Sequence, residues 1–213
     1  MNTPPGAVGQ SLPHESAHLH VSGRAPYTDD LPELAGTVHA ALGLSPVAHG
    51  RVVSMDLDRL RALPGVLAVL SAADIPGRND CGPILHDDPI LAEDLVEYLG
   101  QPVFAVIATT RDLARRAARR AREVLHIETL PAVLDAREAH AQGRYVVPPM
   151  HLARESAPGA TTRAIAEAPH RLEGRFSLGG QEQFYLEGQI AYAVPTEGDG
   201  LLVHSSTQHP TEM

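Results

Sequence analysis

Nine consecutive residues, Gly179-Gly180-Gln181-Glu182-Gln183-Phe184-Tyr185-Leu186-Glu187, hold the densest set of chemically competent groups in this sequence. Two amides can donate or accept hydrogen bonds, and two carboxylates can accept them or carry a proton. The paired glycines leave the backbone open to close approach by a bulky group. The same run also reads as a glycine turn leading into a strand, with Phe184 and Tyr185 on opposite faces and packed into a core. Glu182 and Glu187 then serve as structural hydrogen-bond acceptors. Other groups offer less. His14, His18 and His20 lie close together, but no cysteine or helical frame organises them, and they read as solvent-exposed arm residues. Cys81 sits between Asp80 and Gly82-Pro83 without a placed histidine partner, so it is not assigned as a nucleophile. No glycine loop of the nucleotide or dinucleotide type occurs, so FAD and NAD have no binding motif here.

The elements that must position the nine-residue run follow from periodicity. Residues 1 to 35 are rich in Pro, Gly, His and Ser and lack a repeat, which predicts an extended arm. Apolar segments at Thr37 to Leu44, Arg51 to Leu57, Val66 to Leu70 and Gly100 to Thr109 predict strands, with a short helix at Asp58 to Leu63 ended by Pro64-Gly65. Leu113, Ala114, Ala117, Ala118, Ala121, Val124 and Leu125 recur at spacings of three and four, which predicts one helix with Thr109 and Asp112 as a capping pair. Its arginines, Arg115, Arg116, Arg119, Arg120 and Arg122, read as a solvated face that could meet an acidic partner surface. A strand-like Leu125 to Glu128 follows, and 131 to 160 reads as a connector with a short helix near Asp135 to Ala141. Beyond it, Thr161 to Ala168 predicts a helix, and Arg171 to Leu178, Gln189 to Pro195 and Leu201 to Ser206 predict strands. Pro210-Thr211-Glu212 resembles a helix opening.

Composition limits the function classes. A chain of 213 residues with 43% hydrophobic content can build a real core. A net charge of −9 and the lack of aromatics among the basic residues argue against nucleic acid as a partner. All 17 basic residues are arginine, which we ascribe to codon bias. The single cysteine excludes an internal disulfide, and the N-terminal residues lack a secretory pattern, so a cytoplasmic location is expected. The longest nearly apolar run, Pro102 to Ala108, is far short of the roughly 20 residues that span a bilayer, and no membrane segment is expected.

Five runs together carry a resemblance. They are Leu12-Pro13-His14-Glu15-Ser16-Ala17, Val21-Ser22-Gly23-Arg24-Ala25-Pro26-Tyr27-Thr28-Asp29-Asp30, Tyr98-Leu99-Gly100-Gln101-Pro102-Val103, the run at 179 to 187, and Ser206-Thr207-Gln208-His209-Pro210. In this order, from about Gly9 to Met213, the chain resembles the molybdenum-binding subunit of bacterial xanthine dehydrogenase, of the xanthine dehydrogenase/aldehyde oxidase family. The resemblance implies an α+β fold: an arm over 1–19, an α/β hammerhead domain over 20–130, a connector over 131–160, and from 161 to 213 the start of a molybdopterin-binding domain. It implies the N-terminal part of a longer subunit that oxidises xanthine or hypoxanthine to urate. Electrons would leave to a partner subunit carrying [2Fe-2S] clusters and FAD, and then to NAD, and the full subunit would self-associate. Gln181 would hydrogen-bond an oxo ligand of molybdenum without ligating the metal, and Gly179 and Gly180 would let the backbone approach the cofactor. Gln183 departs from the family, where histidine is usual. No catalytic residue falls within the chain, and the isolated 213-residue protein is expected neither to retain molybdenum nor to turn over. Two alternatives stay open: a related aldehyde, carbon monoxide or N-heterocycle hydroxylase, and a non-catalytic hammerhead module for binding or assembly.

Overall fold

The computed structural model describes residues 8–83, 85–150, 157–185 and 187–209. In chain order its helices and strands are α1 (Ala17–Val21), β1 (His39–Leu44), β2 (Gly50–Met55), α2 (Asp58–Arg61), β3 (Val66–Leu70), β4 (Leu95–Val96), β5 (Pro102–Ala108), α3 (Arg111–Ala118), α4 (Ala121–Val124), β6 (Leu125–Thr129), α5 (Ala136–Ala141), α6 (Ala160–Glu167), β7 (Ala191–Pro195) and β8 (Leu201–Ser205). They fall into two compact units: a central unit, Gly36–Gly179, and a terminal unit, Met1–Ala35 with Gly180–Met213. Residues 20–35, grouped above with the hammerhead, cluster with the terminal unit.

In the central unit two three-stranded antiparallel sheets form, one ordered β1-β5-β3 and the other β4-β2-β6. β5 takes the middle of its sheet because it is the most continuously apolar strand, and Val103, Phe104, Val106 and Ala108 along it are fully buried. Pro102 stands at its first position, where a missing N–H costs least. Opposite Phe104 in the register is Gly43 of β1. A Cβ at Gly43 would overlap Cζ, Cε1 and Cε2 of the Phe104 ring, so glycine there is the space the ring occupies. α3 lays Ala114, Ala117 and Ala118, all buried, over β1 and β5. Small side chains let the helix approach the sheet closely. Leu57, Leu60, Val69, Val96, Val124 and Leu125 complete the same core.

Two polar locks set the loop geometry. Gln101 is 1% exposed, and its Oε1 accepts the Glu97 N–H at 2.7 Å. The same turn is tied to Ser45, whose N–H donates to the Gln101 carbonyl at 2.8 Å while its own carbonyl accepts the Gly100 N–H at 3.0 Å. In the 78–94 loop, the Asn79 side chain donates to the Leu91 carbonyl at 2.8 Å and accepts the Leu91 N–H at 3.0 Å. The Tyr98-to-Val103 run is therefore a packed turn.

The helix after β5 departs from expectation in two ways. Its cap is Thr110, whose hydroxyl accepts the Leu113 N–H at 3.2 Å, and not Thr109. Thr109 instead donates its backbone N–H to the Gly65 carbonyl at 2.9 Å, which commits it to the sheet end. The helix also divides into α3 and α4, because the bonds tighten from Arg119 N–H to the Arg115 carbonyl to Arg120 N–H to the Ala117 carbonyl. The predicted apolar stripe nevertheless continues through Ala121 and Val124, both buried.

In the terminal unit β7 and β8 form an antiparallel hairpin, with Ala191 opposite Ser205 and Pro195 opposite Leu201. The arm is not wholly extended: it contains α1 and a 3₁₀ turn at Thr28–Asp30. Long-range bonds hold it, among them those from Thr28 N–H to Glu187 Oε1 at 2.8 Å and from Leu34 N–H to the Tyr192 hydroxyl at 3.0 Å. Arg171 to Leu178, expected as a strand, is irregular, with Leu172, Phe176 and Leu178 each at least 90% exposed. The residues have strand alternation but no pairing strand among the described residues, and alternation alone does not make a sheet. Pro210-Thr211-Glu212 lies outside the described residues.

Candidate cofactor-binding stretch

The hairpin supplies the frame for the nine-residue run. Ser206, just past β8, donates its N–H to the Ile190 carbonyl at 3.1 Å and its hydroxyl to the Gly188 carbonyl at 2.8 Å. Ile190 N–H returns a bond to the Ser206 hydroxyl at 3.1 Å. These bonds hold residues 188–190 against 206, and Glu187 is anchored in turn by the Thr28 N–H. Between these segments runs an open groove of about 1040 Å³, lined by Tyr27, Glu182, Gln183, Tyr185, Glu187 and Gln208 among others.

Upstream of that frame the run is loose. Residues 179–185 have no helix or strand, and all are exposed. A Cβ placed on Gly179 or Gly180 would meet nothing within 4 Å, so both positions have open space around the backbone. The Gln181 side chain makes no hydrogen bond to any described residue, which leaves its amide free for an external acceptor. Phe184 and Tyr185 do not pack into a core as expected: they are 93% and 50% exposed. Phe184 also sits at φ 51°, a left-handed conformation that costs a non-glycine residue on the order of 1 kcal/mol. The strand alternation expected through Phe184 is broken at that residue. Of the two carboxylates, Glu187 is the structural acceptor and Glu182 opens onto the groove. Leu186 lies outside the described residues.

A neutral primary amide flanked by two unobstructed glycines is the donor type suited to an oxygen ligand of a bulky cofactor, because it adds a hydrogen bond without adding charge. On these two observations the residues present fit one contact of such a group. Among the described residues no cluster of three His, Cys, Asp or Glu could hold an ion. His14 and His20 instead meet edge to face at 5.5 Å, and His20 meets Tyr27 at 6.2 Å. His14 and His20 thus take part in aromatic contacts, and all three arm histidines are exposed.

Cys81 is exposed but constrained: its thiol donates to the Asp88 carbonyl at 3.3 Å. Burial, and then the charges of Asp88 and Asp80, push the thiol above its ordinary pKa. Asp80 is the group that sequence reasoning passed over. Its Oδ1 accepts the Gly82 N–H at 2.9 Å and its Oδ2 meets His86 Nδ1 at 2.7 Å. The Gly82 backbone bond, followed by the His86 bond, holds its carboxyl below the usual range. The Asp-Cys-Gly sequence of an Asx turn was the available cue.

Comparison with known proteins finds two domain families along the chain. The family of the aldehyde oxidase and xanthine dehydrogenase a/b hammerhead domain matches residues 22–128, and the molybdopterin cofactor-binding domain matches 145–213. The xanthine dehydrogenase of Oryza sativa subsp. japonica is 38% identical over 211 residues, which are 96% of this chain and 15% of that protein. Quinoline 2-oxidoreductase from Pseudomonas putida 86 aligns with a TM-score of 0.68 at 27% identity, covering 95% of this chain and 27% of its own. The aldehyde oxidoreductase from Desulfovibrio gigas gives a TM-score of 0.67 at 27% identity over 91% of this chain and 23% of its own. The chain thus spans about 15% of the length of the curated relatives it matches. No helix of the described residues is long and apolar enough to cross a membrane. With a mixed α+β fold and both domain matches in order, the chain belongs to the aldehyde oxidase and xanthine dehydrogenase family, as a hammerhead domain followed by part of the molybdopterin-binding domain.

Proposed function

We propose that this chain forms part of a molybdenum hydroxylase and lends one wall to its cofactor pocket through Gly179, Gly180 and Gln181. The observation that carries the reading is the Gly-Gly-Gln run itself, unobstructed and with a free amide, inside a stretch that matches a molybdopterin cofactor-binding domain. When bound, the molybdenum cofactor supplies the two-electron oxidant for hydroxylating an electron-poor carbon. Gln181 donates from its amide to an oxygen of that cofactor and thereby fixes its orientation. Gly179 and Gly180 let the backbone come close. Xanthine or hypoxanthine is the proposed substrate, supported by the similarity to xanthine dehydrogenases. Electrons would pass to iron–sulfur clusters and FAD on a partner subunit and then to NAD.

A second reading, hydroxylation of an aldehyde or an N-heterocycle, is favoured by the similarity to an aldehyde oxidoreductase and a quinoline oxidoreductase. One experiment addresses both. Gln181→Ala in the full-length subunit should lower turnover about 10- to 100-fold, the range for groups that orient a metal's ligands, while molybdenum content stays within about twofold. Unchanged turnover would remove Gln181 from the site. Rates of the unsubstituted enzyme with xanthine, hypoxanthine and aldehydes decide between the substrates.

A further inference from the structure

A second groove, of about 670 Å³, lies entirely within the central unit between β1 and the α3–α4 helix pair. Its apolar surface comes from Leu42 and Leu44 on β1, Leu99 in the adjoining turn, and Ala118 and Ala121 on the helices. Its charged rim is Arg115, Arg119 and Arg122. The spacing of these three, four residues and then three, puts them on one face. None of their guanidinium groups has an ion pair or hydrogen bond among the described residues. The arginines turned away from the groove differ: Arg116 pairs with Asp112 at 2.9 Å and Arg120 with Glu123 at 2.6 Å.

β1 forms the other wall. It is an edge strand of its sheet, and its sequence, His-Ala-Ala-Leu-Gly-Leu, has no acidic residue, arginine or proline. Such an edge lacks the residues that ordinarily block pairing with another strand. Leu42 and Leu44 are also 51% and 45% exposed. Apolar exposure beside unpaired cations is unfavourable for a free surface and is relieved by a ligand that carries both carboxylates and an apolar side chain.

We propose that this groove receives an extended acidic segment of a partner polypeptide, laid along β1 with its carboxylates on Arg115, Arg119 and Arg122. The dimensions agree: four helical residues advance about 6 Å, close to the roughly 6.6 Å between alternate side chains of an extended chain. Carboxylates at alternate positions therefore meet Arg115 and Arg119, and Arg122, only about 4.5 Å further along, shares the second of them. Nucleic acid fits less well, because a chain of net charge −9 repels a long polyanion and the groove has no aromatic platform for bases. The inference uses none of residues 179–187, so it stands or falls independently of the reading of Gln181.

The test is fluorescence anisotropy of the full chain with a fluorescein-labelled seven-residue peptide of alternating glutamate and leucine. Saturable binding that weakens with salt is expected. Replacing Arg115, Arg119 and Arg122 together by Gln should weaken it about tenfold, from three exposed pairs of roughly 0.5 kcal/mol each. Replacing Arg116 and Arg120 by Gln should leave it within about twofold. Leu42→Asn, on the opposite wall, should weaken it severalfold, and thermal melts identify any variant that fails to fold. The proposal is overturned by no binding at millimolar peptide, by equal binding of an alternating lysine–leucine peptide, by tighter binding of a 20-mer of thymidylate, or by indifference to both the triple and the Leu42 variants.

Discussion

Gly43→Ala is a severe test of how β1 and β5 are fitted together. Two effects oppose each other. Gly43 has no left-handed φ, so alanine can adopt its backbone, and the loss of freedom in the unfolded chain should favour folding by about 0.4–1 kcal/mol. Against this, the new methyl would overlap three carbons of the Phe104 ring, which is 0% exposed and enclosed by core side chains. Overpacking of a closed site typically costs about 1–3 kcal/mol, and an overlap shared by three ring atoms belongs at the upper end. The steric term wins, with a net loss of about 2 kcal/mol. For a domain of this size that lowers Tm by about 6 °C. Urea unfolding followed by circular dichroism measures the loss, and a double-mutant cycle identifies its origin. Phe104→Leu alone should cost about 1–2 kcal/mol by opening space. Combined with Gly43→Ala, the methyl enters that space, and the pair should be at least about 1 kcal/mol more stable than additivity allows. Additive losses would refute the claim that the ring occupies the space over Gly43.

The remaining predictions concern the 78–94 loop. Because the Gly82 N–H and then His86 hold the Asp80 carboxyl below its ordinary pKa, its stabilising effect is present above the unfolded value of about 3.9 and is lost as pH falls through the lower folded value. Asp80→Asn should therefore flatten the dependence of the urea midpoint on pH below about 4, and an unchanged acid slope would sink this. Cys81, whose thiol is raised chiefly by burial, should react with iodoacetamide at pH 7.5 more slowly in the native protein than in urea. Equal rates would show that the contact with Asp88 does not protect it.

How far the sequence discloses the structure depends on how local the cause is. Val66–Leu70 is legible to the residue as a strand, bounded by Gly65 and Ser71, but its expected burial is not: it lies at the edge of its sheet, with Val69 buried and Leu67 and Leu70 exposed. The buried stripe of Ala114, Ala117, Ala118, Ala121 and Val124 is legible as well, because 3.6-residue spacing survives the tightened turn at Arg119–Arg120. That turn is not legible, because no glycine or proline marks it. Gln101 and Asn79 show the same limit, since nothing in an isolated amide tells that it will be spent on the backbone of Glu97 or Leu91. The Gly179–Glu187 run divides along this line too. Glu187 is fixed by a residue 159 positions away and acts as a structural acceptor, whereas Gln181, two glycines and Phe184 remain exposed, one of them in a strained backbone conformation. Apolar alternation in Arg171–Leu178 without a pairing strand points the same way, because exposure of three large side chains is stable only as a surface that something covers. The parts of this chain that satisfy themselves are those whose partners lie in the same compact unit, the β1-β5-β3 sheet under α3 and the β7–β8 hairpin with Ser206. From Gly179 to Phe184, by contrast, the hydrogen-bonding and apolar capacity is still unspent.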